Sequence, residues 1–235
     1  MTLIETMVLA TAAGMSIPAG AAIASNRRLR DFCYRHELDS FVSFFGGGAL
    51  LAAIALVLVP FGMEHSSSGP AGVAFFAGGA IFWQISSWMR RSGSSASQLV
   101  SMMLDFIPEA IALGAAVATG SSTAYLLAVL IALQNMPEGF AALREMQASG
   151  FSRRALIWIF ASAPLAGPVS GWIGYGFLAT NEFVLALLML FCSGGIIYLI
   201  FEDIAPGAHL KHRDFPPVGA VSGFLLGMLG SMMVH

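Results

Sequence analysis

LVSMMLDFIPEAIALGAAVATGSSTAYLLAVLIALQNMPEGFAAL, residues 99–143, is the stretch on which the reading of this chain turns. Two apolar segments, each about 20 residues and so long enough to cross the hydrocarbon of a bilayer, flank a turn at Gly120 and Ser121. Each segment carries a proline followed by a glutamate, in Asp105-Phe106-Ile107-Pro108-Glu109-Ala110 and in Gln134-Asn135-Met136-Pro137-Glu138-Gly139. An ionised side chain at the bilayer centre is disfavoured by about 2.5 to 3.5 kcal/mol on the insertion scale. Such residues therefore face a polar cavity and mark an ion or substrate path.

The rest of the chain agrees with a membrane environment. Of its 235 residues 57% are hydrophobic and only 10% charged, and the mean hydropathy is positive, which places it among polytopic membrane proteins rather than soluble domains. Apolar length predicts eight spans, roughly 4–24, 41–61, 71–89, 98–118, 123–143, 154–178, 183–205 and 216–234. All eleven basic residues fall in alternate connections: Arg27, Arg28, Arg30 and Arg35; Arg90 and Arg91; Arg144, Arg153 and Arg154; Lys211 and Arg213. The intervening loops, 64–70, 119–123 and 179–182, contain none. The basic loops are then cytoplasmic and both termini point outward. The first span is read as a retained helix rather than a cleaved signal, because it lacks a basic segment before it and an arginine cluster follows it. Cys33 falls in a loop and Cys192 within a span, so a disulfide is not expected. Nothing in the charge pattern points to nucleic acid.

Asp105 and Glu109 are four residues apart and share a helix face, as do Gln134 and Glu138. In a hairpin, residues equally far from the turn lie at equal depth, so the four side chains are expected to meet at one level of the membrane. Pro108 and Pro137 have no N–H to offer the carbonyls of Leu104 and Leu133, which leaves main-chain oxygens beside the acids. Carboxylates, an amide oxygen and freed carbonyls make an all-oxygen site for a divalent cation. No basic residue lies in the centre of a span, so the partner of Asp105, Glu109 and Glu138 is expected to be a proton or an external cation. The plainer reading is that the prolines only kink the helices while protonated acids pack between them. Two parallel Pro-Glu elements at matched depth weigh against it.

These motifs resemble those of the ZIP (Zrt/Irt-like) family of divalent-metal transporters, whose fourth and fifth spans carry runs of the form His-Asn-x-Pro-Glu-Gly. The resemblance extends to the glycine- and alanine-rich run from Phe45 to Pro60, to Ala166-Gly167-Pro168, and to the run from Tyr198 through Glu202 and Asp203 to Pro206. It implies an all-α fold of eight transmembrane helices arranged 3+2+3 with inverted repeats, a homodimer, and two adjacent metal sites. The chain departs from the pattern where Asp105 replaces histidine, Phe106 asparagine and Gly167 glutamate, and where Val57-Leu58-Val59-Pro60-Phe61 replaces His-x-x-Pro-Glu. The expectation is therefore an atypical member with one mononuclear, carboxylate-rich site built from Asp105, Glu109, Gln134 and Glu138, with Asn135 beside it.

Glu202 and Asp203 stand near the cytoplasmic end of the seventh span, either as a solvated helix end or as exit ligands, with at most one facing the path. His209 and His212 read as an ordinary loop, and Glu64 with His65 as a polar turn at the outer mouth. The expected activity is transport of a divalent cation toward the cytoplasm across the cell membrane. Zinc is the first choice, with manganese, iron or cadmium as further substrates; the ion is cargo, and no cofactor or catalytic residue is expected. A transport-incompetent relative acting as a sensor or structural partner is the alternative. A membrane hydrolase fits less well, because no histidine lies in a span centre to hold a catalytic metal.

Overall fold

The computed structural model describes residues 2–35, 38–91, 97–205 and 215–234, with the side chains of 33–35, 39, 97, 98, 203 and 234 also outside the description. Among the described residues every regular element is helical. The helices are α1 (Leu3–Ser25), α2 (Arg27–Arg35), α3 (38–64), α4 (Ser68–Arg91), α5 (Ser97–Ala118), α6 (Thr123–Ala148), α7 (Arg153–Leu178), α8 (182–204) and α9 (Val218–Val234).

Helix thus forms in each stretch expected to span. Six of these helices are long and apolar enough to cross a membrane: α1, α3, α5, α6, α7 and α8. The last, α9, is apolar but shorter, and α4 carries Gln84, Ser86, Ser87, Arg90 and Arg91 in its second half. The outward faces are apolar, with Phe76, Trp83, Trp158, Phe177 and Met232 all exposed, as helices bathed in hydrocarbon require. The protein is an all-α integral membrane protein.

One element was not anticipated. The connection between the first two spans contains α2, opened by Asn26, whose Oδ1 accepts hydrogen bonds from the backbone N–H of Arg28 at 3.0 Å and of Leu29 at 3.4 Å. This cap satisfies donors that a helix start otherwise leaves open.

Prolines shape the long helices. Pro108 and Pro137 lie inside α5 and α6, which remain continuous around them. In α3 the chain widens into a π-helical turn at Ile54–Leu58 just before Pro60, where a proline cannot donate to the turn before it. A second π turn, Ile200–Ile204, ends α8, and a third, Gly174–Leu178, ends α7.

Among the described residues, four helix pairs cross through a glycine on each helix that faces the partner's carbonyl at closest approach. Gly20 of α1 meets Gly139 of α6, Gly114 of α5 meets Gly174 of α7, Gly78 of α4 meets Gly194 of α8, and Gly48 of α3 meets Gly223 of α9. At each crossing a Cβ on either glycine would run into the carbonyl oxygen of the residue three before its partner glycine: Met136 and Ile17, Gly171 and Ile111, Phe191 and Phe75, Ala220 and Phe45. In a bilayer no hydrophobic force draws helices together, so close backbone approach and the contacts it permits hold them. The helices α5 and α6 bring the acids into the middle of this frame, walled by Leu50, Leu58, Met102, Leu113, Leu127 and Ile131.

Candidate functional site

The short turn at Gly120, whose φ of 70° suits glycine, sets α5 and α6 side by side, and the acids face each other across them. Asp105, Glu109, Gln134 and Asn135 are buried, and Glu138 is half-buried. The amide Nε2 of Gln134 donates a hydrogen bond to Oε2 of Glu109. One helical turn away, Asp105 and Glu138 line the same small cavity, about 40 Å³, together with Ser101, Leu199 and Ile204. That volume accepts an ion with one or two waters, since each water needs about 10–15 Å³ of such space.

The expected single cluster is therefore two layers. On antiparallel helices a residue four further from the turn on one strand of the hairpin pairs with one four further on the other. Glu109 consequently meets Gln134, and Asp105 and Glu138 share the next cavity along. Among the described residues no three histidine, cysteine, aspartate or glutamate side chains gather closely enough to hold a metal ion.

Several buried polar atoms at this level have no hydrogen-bond partner among the described residues: Glu109 Oε1, Gln134 Oε1, and both Oδ1 and Nδ2 of Asn135. Leaving such groups unsatisfied costs about 1–3 kcal/mol each, so a concentration of them in one place calls for partners beyond these side chains. Asn135 is fully buried, a stronger placement than its adjacency in sequence implied.

No protein-family model matches the chain, and no curated protein matches it.

The site is accordingly read from its own contacts, and two of them bear on the departures noted in the sequence. Phe106 is fully buried, and its ring tip lies 2.9 Å from where a Cβ on either Gly14 or Gly167 would stand. The ring and the Ala10 carbonyl oxygen, which stands 2.5 Å from the same Cβ position, together fill the space that a side chain at position 167 would need. The aromatic residue at 106 and the glycine at 167 are one packing solution, and it leaves no polar pair there.

Of the two acids expected near the end of the seventh span, Glu202 is the one whose side chain is described; the side chain of Asp203 lies outside the described residues, as do His209 and His212. Sequence reasoning missed its partner. Arg90 of α4 forms an ion pair with Glu202, and Ser86, one turn before it, donates its hydroxyl to the same carboxylate at 2.6 Å. The signal was present in Ser86 and Arg90 standing four apart, on one face of α4, but the helix that face meets is not legible in the chain.

At the opposite end of the bundle Glu64 lines a pocket of about 200 Å³ with Thr119, Ser121 and Thr123. The His65 ring stacks on Phe61 at 4.2 Å between centroids, and its Nε2 lies 3.8 Å from Glu182. Cys192 is buried with a free thiol.

Proposed function

We propose that this chain carries divalent metal cations across a membrane, from outside toward the cytoplasm, as an atypical relative of the ZIP family. The observation that carries this reading is the pair of buried layers, Glu109 with Gln134 and Asp105 with Glu138, at matched depth between two proline-bearing helices. The cation is captured by carboxylates of these layers, with the oxygen of Gln134 or Asn135 completing the shell after side-chain rotation. It then passes toward Glu202. One ion is bound at a time, because the positions where the family pattern has further polar ligands are occupied by Phe106 packed on glycine. An oxygen-only donor set is hard and admits manganese, iron(II) or magnesium beside zinc and cadmium.

Eight spans with both termini outside, in a cell membrane, follow from the alternation of basic loops. The glycine crossings support a 3+2+3 plan. Exchanging α1 with α7, α3 with α8, α4 with α9 and α5 with α6 turns the first crossing into the second and the third into the fourth. The same exchange relates the π turn of α3 to that of α8. Inverted repeats of this kind allow one bundle to rock against another around a fixed site.

Uptake into proteoliposomes tests the reading, with zinc, manganese, iron(II), cadmium and magnesium offered in parallel. Wild-type protein is expected to carry at least one of them, and Glu109→Ala and Glu138→Ala to abolish flux while still inserting. Near-normal uptake by both variants would sink the site assignment. Absence of flux for every metal in folded wild-type protein would favour the sensor or structural relative, which the apolar Phe106 packing also fits.

A further inference from the structure

Next to the central cavity lies a second pocket, about 290 Å³, lined by Ser86, Met89, Arg90, Ser101, Leu199 and Glu202. It shares Ser101 and Leu199 with the cavity that holds Asp105 and Glu138, so the two spaces adjoin, and it carries the pathway on toward the arginine-bearing end of α4. Its one described carboxylate is occupied from within the chain. The Glu202 side chain is 14% exposed and the Arg90 side chain 54%, so the guanidinium approaches from the open side of the pocket. Arg90 is itself steadied on its own helix, donating to Ser86 at 3.4 Å and to Ser87 at 3.3 Å.

We propose that Arg90 is a resident counter-ion of the exit pocket, holding Glu202 until a divalent cation displaces it. This rests on the transport reading above. A single guanidinium neutralises the carboxylate between transport events, so no bare anion traps the cargo on its way out. A dication at equal distance attracts Glu202 twice as strongly as a monovalent ion does, so it competes for the carboxylate where sodium or potassium gains little. When the cation leaves, Arg90 returns. Glu202 is thus tuned to bind weakly and briefly, which is what an exit station needs if ions are not to accumulate there. A purely structural role, an ion pair fastening α4 to α8, predicts loss of stability on mutation but no gain in metal affinity.

Binding of Mn2+ to the purified full-length protein, followed by the electron paramagnetic resonance signal of the free ion, separates the two. Arg90→Gln is expected to gain a Mn2+-binding step at about tenfold lower concentration than any such step in wild type. Arg90→Lys, which keeps the charge but loses the planar fork, is expected to shift it about threefold, and carries the test alone should the glutamine variant fail to fold. The gain must vanish in Arg90→Gln/Glu202→Gln. Wild-type-like binding by every folded Arg90 variant, or a gain that survives removal of Glu202, overturns the proposal. In proteoliposomes Arg90→Gln should lower both the half-saturating concentration and the maximal rate, and an unchanged rate counts against it. If wild-type protein moves no dication at all, the transport reading fails, while the Mn2+ series still decides whether Arg90 competes for Glu202.

Discussion

Glu109 and Gln134 show how one residue's chemistry depends on its layer. Gln134 turns its amide N–H toward Glu109, leaving its own oxygen and one oxygen of Glu109 for something else. Carboxylates must be deprotonated to bind metal, so metal occupancy is expected to fall as pH falls. Equilibrium binding of Mn2+ at pH 5.5 and 7.5 checks the sign: tighter binding at the lower pH would remove these carboxylates from the site. Phe106 makes a second residue-scale case. Truncating a buried phenylalanine costs about 3–5 kcal/mol, so Phe106→Ala should lower the thermal midpoint in detergent markedly. Phe106→Asn should leave the bound metal at one per protomer by calorimetry, because Gly167 still offers no ligand; two metals bound by that variant or by wild type would refute a mononuclear site. The identity of the acids was legible in the sequence because a carboxylate in an apolar run has few other reasons to be there. The fit of Phe106 to Gly14 and Gly167 was not, since it joins three helices distant in the chain.

At the scale of the element, the glycines separate into two kinds. Gly78 sits where a Cβ meets the carbonyl of Phe191, whereas Gly72, on the same helix, has nothing within 4 Å. Gly78→Ala is therefore expected to push α4 from α8 and lower stability. Gly72→Ala should be neutral or stabilising by about 0.5–1 kcal/mol, the intrinsic gain of alanine over glycine in a helix. Thermal denaturation of the two variants in detergent provides the comparison, and equal effects would mean that the crossing does not hold the pair together. Reading the chain alone, these glycines are a generic small-residue signal. Their pairing, with each one facing the carbonyl three residues before the other, emerges only when the partner helix is in place. Helix α2 went unread because its four arginines read as a connecting loop, although Leu29, Phe32 and Cys33 recur at helical spacing along its nine residues.

For the whole molecule, the central hairpin sits among helices that cross through paired glycines, and among the described residues a pocket toward Glu202 and another toward Glu64 lie on either side of the acids. The pocket toward Glu202 adjoins the Asp105 and Glu138 cavity through Ser101 and Leu199. The pocket toward Glu64 is bounded by Leu127, Leu185 and Met189. On the transport reading proposed above, this asymmetry corresponds to a state open toward the arginine-bearing end, and it predicts that in detergent-solubilised protein, where reagent reaches both ends, a cysteine placed at Ile85 reacts with a water-soluble maleimide more readily than one at Ala116. Equal labelling of the two would show that the asymmetry does not govern access. By itself the sequence determined the membrane class and the helical stretches and singled out the candidate acids, because apolar length, helix rise and the cost of charge in hydrocarbon are local properties of the chain. The tertiary structure alone decided that the acids form two layers, that Phe106 fills the glycine cradle, and that Arg90 reaches Glu202. Those contacts join residues on different helices, and which helix faces which is settled by how closely their backbones can pack.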